Sequence, residues 1–190
     1  DMKPLLRVLI LGSGGREHAL LKACLKSPAV TSVIAAPGNG GMETEADCFP
    51  VNPSDPAAVL ELIAAHAINF LIVGPEAPLA EGIADEVRAA GIPVYGPGKA
   101  GAELEASKAV CKDFLHRHAI PTAAFRTVHT LEEAQAFLDQ VAFPIVVKAS
   151  GLAAGKGVLI CPDRAAAEEA CRDMLVEGAF GDSGRTVVIE

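Results

Sequence analysis

A glycine- and lysine-rich loop between two apolar runs is the part of this sequence best suited to chemistry. The segment 151–157 holds three glycines and Lys156, and it lies between strand-like runs at 145–148 and 158–161. Glycine lets backbone N–H groups close around phosphate oxygens, and the ammonium groups of two lysines, here Lys148 and Lys156, can neutralise them. The pattern therefore predicts a strand–loop–strand flap that covers a nucleotide triphosphate.

The P-loop is the competing interpretation of this segment. It needs four residues between its glycines, and then Gly-Lys-Ser/Thr opening a helix. Here three residues separate Gly151 from Gly155, and Gly157 stands where the hydroxyl residue belongs. The spacing, the missing hydroxyl and the strand-like run that follows exclude a P-loop. An ordinary hairpin with a glycine-rich turn stays open, although hairpin loops are usually shorter.

Lys108 is a further lysine with an unusual setting. On a helix predicted over 103–117 it falls in one stripe with the apolar residues Leu104 and Cys111. A lysine within an apolar stripe either extends its ammonium to the edge or faces a ligand. Both interpretations stay open for Lys108, whereas Lys112 beside it is expected to remain solvated.

Alternating strand-like and helix-like runs over the first hundred residues position a second set of candidates. Strands are predicted at 5–11, 31–35, 69–73 and 93–95, and helices at 17–26, 56–66 and 79–90. This alternation predicts right-handed βαβ units and a parallel sheet. Ligands of such sheets bind at the carboxyl ends of the strands. The candidate loops of this part are therefore those at 12–18, 36–41 and 74–78.

The loop at 12–18 has the sequence GSGGREH and opens a helix. A helix N-terminus favours an anion, and Arg16 can assist. The loop resembles the dinucleotide fingerprint G-x-G-x-x-G, but Glu17 replaces the last glycine and no acidic residue ends the second strand. We expect a compact phosphate here; a turn that serves only strand–helix packing is the alternative.

The loop at 74–78 places Glu76 at a strand end between two prolines. Its carboxylate can accept hydrogen bonds from sugar hydroxyls or an amine. For this residue alone the simpler interpretation is favoured, namely a charge that stabilises a helix dipole by roughly a few tenths of a kcal/mol.

Composition excludes several classes of protein. Hydrophobic residues make up 51% of the chain and charged residues 21%, unlike a disordered chain. The net charge of −8 disfavours nonspecific nucleic-acid or anionic-membrane binding. The five cysteines include no C-x-x-C pair and suit a reducing cytoplasm, and the histidines show no metal spacing. We expect a cytoplasmic protein with no nucleic-acid or membrane partner and no metal ligand within this chain.

A composition change after 96–98 predicts a domain boundary near Ala100. We expect a substrate-binding α/β domain at 1–100, a connecting helix at 101–122 and a flap subdomain at 123–190. The flap subdomain shows a second βαβ-like alternation, with strands predicted at 124–128, 145–148, 158–161 and 185–189 and helices at 131–141 and 164–175. Because the chain stops directly after a buried-looking strand, we expect it to be the front portion of a longer protein.

Several motifs taken together resemble one family of ligases. They are GSGGREHAL (12–20), APGNGG (36–41), VGPEAPL (73–79), GP (96–97), SKAVCKDFL (107–115), IPTAAF (120–125) and VVKASGLAAGKGV (146–158). In register over the whole chain they closely resemble the phosphoribosylamine–glycine ligases, or glycinamide ribonucleotide synthetases, of the ATP-grasp superfamily. The resemblance implies an α/β fold class with a parallel-sheet N-terminal domain of the biotin-carboxylase type, followed by a partial ATP-grasp α+β domain.

The resemblance also implies an activity. The family joins glycine to 5-phosphoribosylamine through a glycyl phosphate, forming glycinamide ribonucleotide, ADP and phosphate in de novo purine synthesis. The implied partners are therefore small molecules: phosphoribosylamine, glycine and ATP. Mg²⁺ or Mn²⁺ is expected, with acidic ligands beyond residue 190, so the 190-residue chain alone is expected to be inactive.

Two sets of binding residues follow from the resemblance, and no catalytic residue does. The implied substrate-binding residues are Gly14, Gly15, Arg16, Glu17, Asn39, Pro75 and Glu76. The implied ATP-binding residues are Lys108, Lys148, Gly151, Leu152, Ala153, Ala154, Gly155, Lys156, Gly157 and Glu190, the last at the start of a hinge segment that contacts adenine. Ser150 departs from the family, which usually has aspartate there, and is expected to alter flap hydrogen bonding and closure.

Three other functions stay open. Another ATP-grasp carboxylate–amine ligase is the nearest, because flap lysines are shared across that superfamily. A dinucleotide-dependent oxidoreductase would bind NAD at 12–16. A noncatalytic module would bind a sugar phosphate or nucleotide without needing Lys148.

Overall fold

The structure, a computed structural model, describes residues 5–190 as two compact units that divide between Ala102 and Glu103. Each unit contains its own sheet, the first parallel and the second antiparallel. This arrangement confirms the predicted α/β fold class. None of the helices described within residues 5–190 has the length and hydropathy that a bilayer-spanning segment needs.

Five strands form the sheet of the first unit. They are β1 (Leu6–Gly12), β2 (Val30–Pro37), β3 (Asp47–Cys48), β4 (Phe70–Val73) and β5 (Val94–Tyr95). The order is β3-β2-β1-β4-β5, and every pairing is parallel, as the alternating pattern predicted. Strand β3 was not predicted, because two residues are too few to carry a periodic signal.

Four helices accompany this sheet. They are α1 (Gly15–Leu25), α2 (Pro56–Ala65), α3 (Glu76–Glu81) and α4 (Ile83–Ala89). The prediction of one helix over 79–90 was wrong, because Gly82 takes φ 105° and ends α3. Glycine reaches this left-handed conformation without strain, so the chain turns there before α4 begins.

Helices cover both faces of the parallel sheet. Leu9 and Leu11 of β1 belong to one core with residues of α2 and α4, whereas Val8 and Ile10 pack with Leu21 of α1 in another. A strand segment buried on both faces has no polar positions, which explains the apolar run over residues 8–11 of β1. The loops at the strand ends are left to carry the polar groups.

The second unit follows a helix that spans the division between the units. That helix is α5 (Lys99–Ala106), and the elements of the second unit are α6 (Lys108–Arg117), β6 (Arg126–Val128), α7 (Leu131–Leu138), β7 (Ile145–Ala149), β8 (Val158–Cys161), α8 (Arg164–Leu175) and β9 (Val187–Ile189). The sheet order is β6-β9-β7-β8, with antiparallel pairing throughout. The predicted βαβ-like alternation was wrong here, because β7 and β8 are joined by a loop too short for a parallel crossover.

The helix predicted over 103–117 is broken at Ser107, so this prediction was also wrong. Ser107 has an extended backbone, and its hydroxyl accepts a hydrogen bond from the N–H of Val110 at 3.3 Å. A serine at the N-cap begins a new helix by satisfying such a free N–H group. Leu104 and Lys108 therefore lie on different helices, and the expected apolar stripe is not continuous. Lys108 is the first residue of α6.

Candidate functional site

Loops of the first unit meet at the carboxyl edge of the parallel sheet. The N–H of Gly38, after β2, donates to the carbonyl oxygen of Gly12 at 3.1 Å. The side-chain amide of Asn39 donates to the carbonyl oxygen of Ser13 at 2.9 Å. The loops after β1 and β2 are thus joined side by side, as expected for neighbouring parallel strands.

Arg16 connects these loops to the one after β4. Its Nη1 donates to the carbonyl oxygen of Gly74 at 2.7 Å and to Oε1 of Glu76 at 3.0 Å. A hydrogen bond from its own backbone N–H, with Arg16 as a further cause, lowers the pKa of the Glu76 carboxyl. Both side chains remain well exposed, at 59% for Arg16 and 43% for Glu76. Arg16 therefore keeps donors for an anion, and Glu76 stays ionised beside it.

Glu17 lies beneath the same loops and is 4% exposed. Its Oε2 accepts a hydrogen bond from the N–H of Gly14 at 2.7 Å. A Cβ atom at Gly74 would overlap the Glu17 carboxylate, and one at Gly12 would lie 2.5 Å from Glu17 Cγ. The glycines are needed for this close approach, so Glu17 supports the loops. Its implied contact with substrate stays a prediction.

Asn39 and His18 hold the loop after β2 in place. The amide oxygen of Asn39 accepts from the N–H groups of Gly41 and Met42 at 2.9 and 3.0 Å. Nε2 of His18 lies 2.7 Å from Oε1 of Glu45, and this hydrogen bond is the main cause that lowers the pKa of Glu45.

Pro75 precedes α3 as its N-cap, and Gly15 is exposed at the start of α1.

In the second unit two lysines pair with the carboxylate of Glu190, and a third, Lys108, lies close enough to Lys148 for its charge to act on it. Lys148 at the end of β7 pairs with Oε1, and Lys112 of α6 pairs with Oε2. Desolvation and then the charges of Lys112 and Lys108 lower the pKa of Lys148, so both of these ammonium groups lie within electrostatic reach of Lys148. We call Lys108, Lys112, Lys148 and Glu190 the lysine cluster. The structure thus brings together Lys108 and Lys148, which the sequence singled out separately.

The prediction that Lys112 remains solvated was wrong. Its side chain is only 12% exposed, and its ammonium donates to the hydroxyl of Thr122 at 2.7 Å. The ammonium also lies 5.6 Å from the ring centroid of Phe125. The spacing of Lys108 and Lys112 in the sequence could have predicted that the two lie together, because residues four apart share a helix face. Once α6 begins at Lys108, Lys112 points to the same side.

Ser150, at the base of the flap, caps α6 and is 5% exposed. Its carbonyl oxygen accepts from the N–H of Lys108 at 2.8 Å, and its hydroxyl accepts from the N–H of Ala109 at 3.0 Å. The Ser150 and Ser107 hydroxyls lie 3.2 Å apart. The first free N–H groups of α6 are therefore satisfied by the flap base and the N-cap.

The flap is the antiparallel pair β7–β8 with its connecting loop, which confirms the predicted strand–loop–strand. Lys148 faces Val158 across the pair, and Nζ of Lys108 donates to the carbonyl oxygen of Gly151 at 3.1 Å. Gly151 and Leu152 are also tied to Ser183, at 3.1 and 2.8 Å. The base of the loop is thus anchored.

The tip of the flap carries the left-handed positions of the loop. Ala154 and Gly155 have φ values of 48° and 77°, and the N–H of Lys156 closes a turn onto Ala153 at 2.9 Å. Residues 154–156 are exposed, whereas Gly157 is buried. Phosphate contact by residues 151–157 stays a prediction.

The described residues include no candidate site for a divalent metal ion. Over 5–190, no three histidine, cysteine, aspartate or glutamate side chains are grouped so that they can hold an ion. The family resemblance implies ligands for Mg²⁺ or Mn²⁺ beyond residue 190, and this stays a prediction.

Family comparisons cover both units. The family model described as "Phosphoribosylglycinamide synthetase, N domain" matches residues 6–105. The model described as "Phosphoribosylglycinamide synthetase, ATP-grasp (A) domain" matches residues 106–190.

Curated relatives named phosphoribosylamine–glycine ligase have much longer chains. The phosphoribosylamine–glycine ligases of Allochromatium vinosum and Pseudomonas aeruginosa are each 51% identical to this chain over 187 residues. The alignments cover 97% of this chain, and 44% and 43% of the two relatives. The chain therefore spans less than half the length of these relatives.

Solved structures agree with the fold. The phosphoribosylamine–glycine ligase of Thermotoga maritima is 31% identical, with a TM-score of 0.79 over 97% of this chain and 43% of that one. The biotin carboxylase domain of the Hydrogenobacter thermophilus 2-oxoglutarate carboxylase is 21% identical, with a TM-score of 0.75 over 99% of this chain and 44% of that one, and shows the shared fold alone. With family models matched from residue 6 to residue 190, the chain belongs to the phosphoribosylglycinamide synthetase family.

Proposed function

We propose that the protein takes part in the ATP-dependent ligation of glycine to 5-phosphoribosylamine, with glycinamide ribonucleotide, ADP and phosphate as products. The observation that carries the proposal is the lysine cluster at the base of a glycine-rich flap. Relatives named for this ligation support it, although the chain spans about 44% of their length. We therefore propose that this chain supplies two binding regions of the enzyme, one in each unit.

The lysine cluster suits the triphosphate of ATP. Two ammonium groups pair with one carboxylate and that of Lys108 lies near Lys148, which leaves a local positive excess in a chain whose net charge is −8. Lys148 can exchange Glu190 for a phosphate oxygen, and Lys108 lies at the flap base. Ammonium groups fixed in a partly desolvated site stabilise charge more strongly than they do in water.

The first unit suits the sugar phosphate. Arg16 stands at the N-terminus of α1 with donors to spare, where the helix dipole also favours a phosphate. Gly15 offers open backbone, since no heavy atom lies within 4 Å of its missing Cβ position. Glu76 can accept hydrogen bonds from ribose hydroxyls or from the amine.

The proposed chemistry proceeds in two displacements. A carboxylate oxygen of glycine attacks the γ-phosphorus of ATP, the bond to the β-phosphate oxygen breaks, and ADP leaves. The phosphoribosylamine nitrogen then attacks the carbonyl carbon of glycyl phosphate, phosphate leaves with the bonding pair, and the nitrogen loses a proton. Magnesium bound with ATP would supply further charge neutralisation.

The chain's own residues contribute position and electrostatics. Alignment of reactants supplies roughly 7–11 kcal/mol in favourable cases. Lys108 and Lys148 would hold the phosphates in line, and a closed flap would shield the acyl phosphate from water.

The free cysteines fit the expected cytoplasmic setting. All five are unpaired among the described residues, as suits a reducing compartment. We propose a cytoplasmic enzyme acting on small molecules.

An assay of ADP release tests the proposed function. The intact protein should release ADP only when glycine and phosphoribosylamine are both present. Lys148→Met should lower kcat/KM by about a hundredfold or more, whereas Lys26→Met, at an exposed position of the first unit, should not change it. The isolated 190-residue chain should release no ADP. Turnover without glycine, or full turnover by Lys148→Met, would contradict the proposal.

A further inference from the structure

Lys112 has more protein partners around its ammonium group than Lys148 has. Its ammonium donates to the Thr122 hydroxyl at 2.7 Å, pairs with Glu190 and lies 5.6 Å from the Phe125 ring centroid. Its side chain is 12% exposed, against 23% for Lys148. Lys112 is therefore less available to a ligand than Lys148.

Glu190 is held from both its backbone and its side chain. Its N–H and carbonyl exchange hydrogen bonds with Val146 at 2.9 and 2.6 Å, which extends the sheet pairing. Its Oε2 is shielded from solvent and meets Lys112 as an ion pair without hydrogen-bond geometry, while Oε1 accepts from Lys148. The carboxylate thus bridges α6 and the end of β7.

A shielded carboxylate is costly once its counterion leaves. When Lys148 binds a phosphate oxygen of ATP, Glu190 would lose its ion pair with Lys148. Its carboxylate would then lie near the phosphate with Lys112 as its remaining partner. Lys112 stays on Oε2 in that event, because Thr122 and the helix hold it in place.

We infer that Lys112 is a positioning residue that keeps Glu190 paired and aimed, so that Lys148 is free to bind the triphosphate. The inference rests on the proposed function in taking ATP as the ligand. Lys112 does not touch the nucleotide; it acts through Glu190. Without Lys112 the carboxylate would pair with Lys148 alone and compete with the phosphate.

A double-mutant cycle tests this role. ATP affinity is measured by calorimetry for the wild type, Lys112→Met, Glu190→Gln and the double variant. Lys112→Met should weaken ATP binding about tenfold in the wild-type background and less than about twofold in the Glu190→Gln background, since residues that act through one another are not additive. Lys112→Arg should keep most of the affinity, and Lys26→Met all of it.

The ammonium titration of Lys148, followed by NMR of isotope-labelled lysine, is a readout that does not need ATP. In Lys112→Met the pKa of Lys148 should rise, because it loses a neighbouring positive charge and gains the undivided carboxylate. Adding Glu190→Gln should reverse most of that rise.

The outcomes separate the inference from the proposed function. Equal loss of ATP affinity in both backgrounds would mean that Lys112 contacts the nucleotide, and would overturn the inference. If the wild type binds no ATP, the proposed function is wrong. The positioning role of Lys112 is then tested by the Lys148 titration alone. An unchanged Lys148 pKa in Lys112→Met then overturns the positioning role. If Lys112→Met does not fold, Thr122→Val should shift both readouts in the same direction by a smaller amount, and no shift would overturn the inference.

Discussion

The carboxylate of Glu17 fills the space that a side chain at residue 74 would occupy. Gly74 directly follows β4, and Glu17 belongs to α1, so this contact fixes the spacing of two loops that carry candidate substrate residues. Arg16, the neighbour of Glu17, then reaches the carbonyl oxygen of Gly74 from the solvent side. A single buried acid thus sets the geometry of the loop edge.

Gly74→Ala should destabilise the first unit by roughly 1–3 kcal/mol, because the new Cβ must displace the Glu17 carboxylate. Urea denaturation measures the loss. Gly15→Ala is the matched control, since nothing lies within 4 Å of its Cβ position and alanine favours a helix. Glu17→Ala should recover part of the loss caused by Gly74→Ala. The same loss with and without Glu17 would contradict the packing account.

Ser150→Ala should lower the free energy of unfolding by roughly 1–2 kcal/mol, because the N–H of Ala109 loses its acceptor at the start of α6. Ser150→Asp should lose less, since a carboxylate can accept from the same N–H and favours a helix N-terminus. Thermal unfolding of the three proteins distinguishes the two cases. An unchanged free energy of unfolding in Ser150→Ala would show that the hydroxyl is not a cap.

The thiol of Cys171 should resist alkylation in the native protein. Burial raises its pKa to about 12, and its side chain has no exposed surface. At pH 8 only about one molecule in ten thousand would carry the reactive thiolate. Mass spectrometry after iodoacetamide treatment should find Cys171 unmodified in buffer and modified in urea. Rapid native modification would mean that the α8 face is open.

Binding of ATP should weaken as the pH rises, starting below the ordinary lysine pKa of 10.5, because desolvation and neighbouring lysines lower the pKa of Lys148. Between the lowered pKa and 10.5 the unfolded chain binds more protons at this residue than the folded chain does. The Lys148 contribution to stability therefore increases with pH in that window, while ATP affinity falls. Calorimetry and urea denaturation at several pH values measure the two trends. Lys148→Met should remove both, and a wild-type affinity that holds up to 10.5 would contradict the prediction.

The flap and the parallel sheet were predictable because their signals are local. Strands buried on both faces are continuously apolar, and a lysine that ends such a strand before a glycine-rich loop marks the loop as a candidate phosphate site. Lys148 and the segment 151–157 were predicted as candidates in this way, and Arg16 as the polar residue at a helix start; their contacts with ligands stay predictions.

The remaining features depend on contacts between distant residues. Ser107 breaks a helix that its neighbours favour, and its cap is completed by Ser150, which lies 43 positions away. The burial of Lys112 requires Thr122 and Glu190, and that of Glu17 requires Gly74. No local period records these partners, so the sequence showed the residues but not their roles.

The central claim is that Lys108 and Lys148 act on one triphosphate, and nucleotide binding by calorimetry tests it most directly. ATP and adenosine are titrated into the wild type, Lys108→Met, Lys148→Met and the double variant. We predict that each single change weakens ATP binding about tenfold or more, since each removes a charged contact, and that adenosine binding stays the same. A double variant that binds ATP as tightly as the wild type would contradict the account.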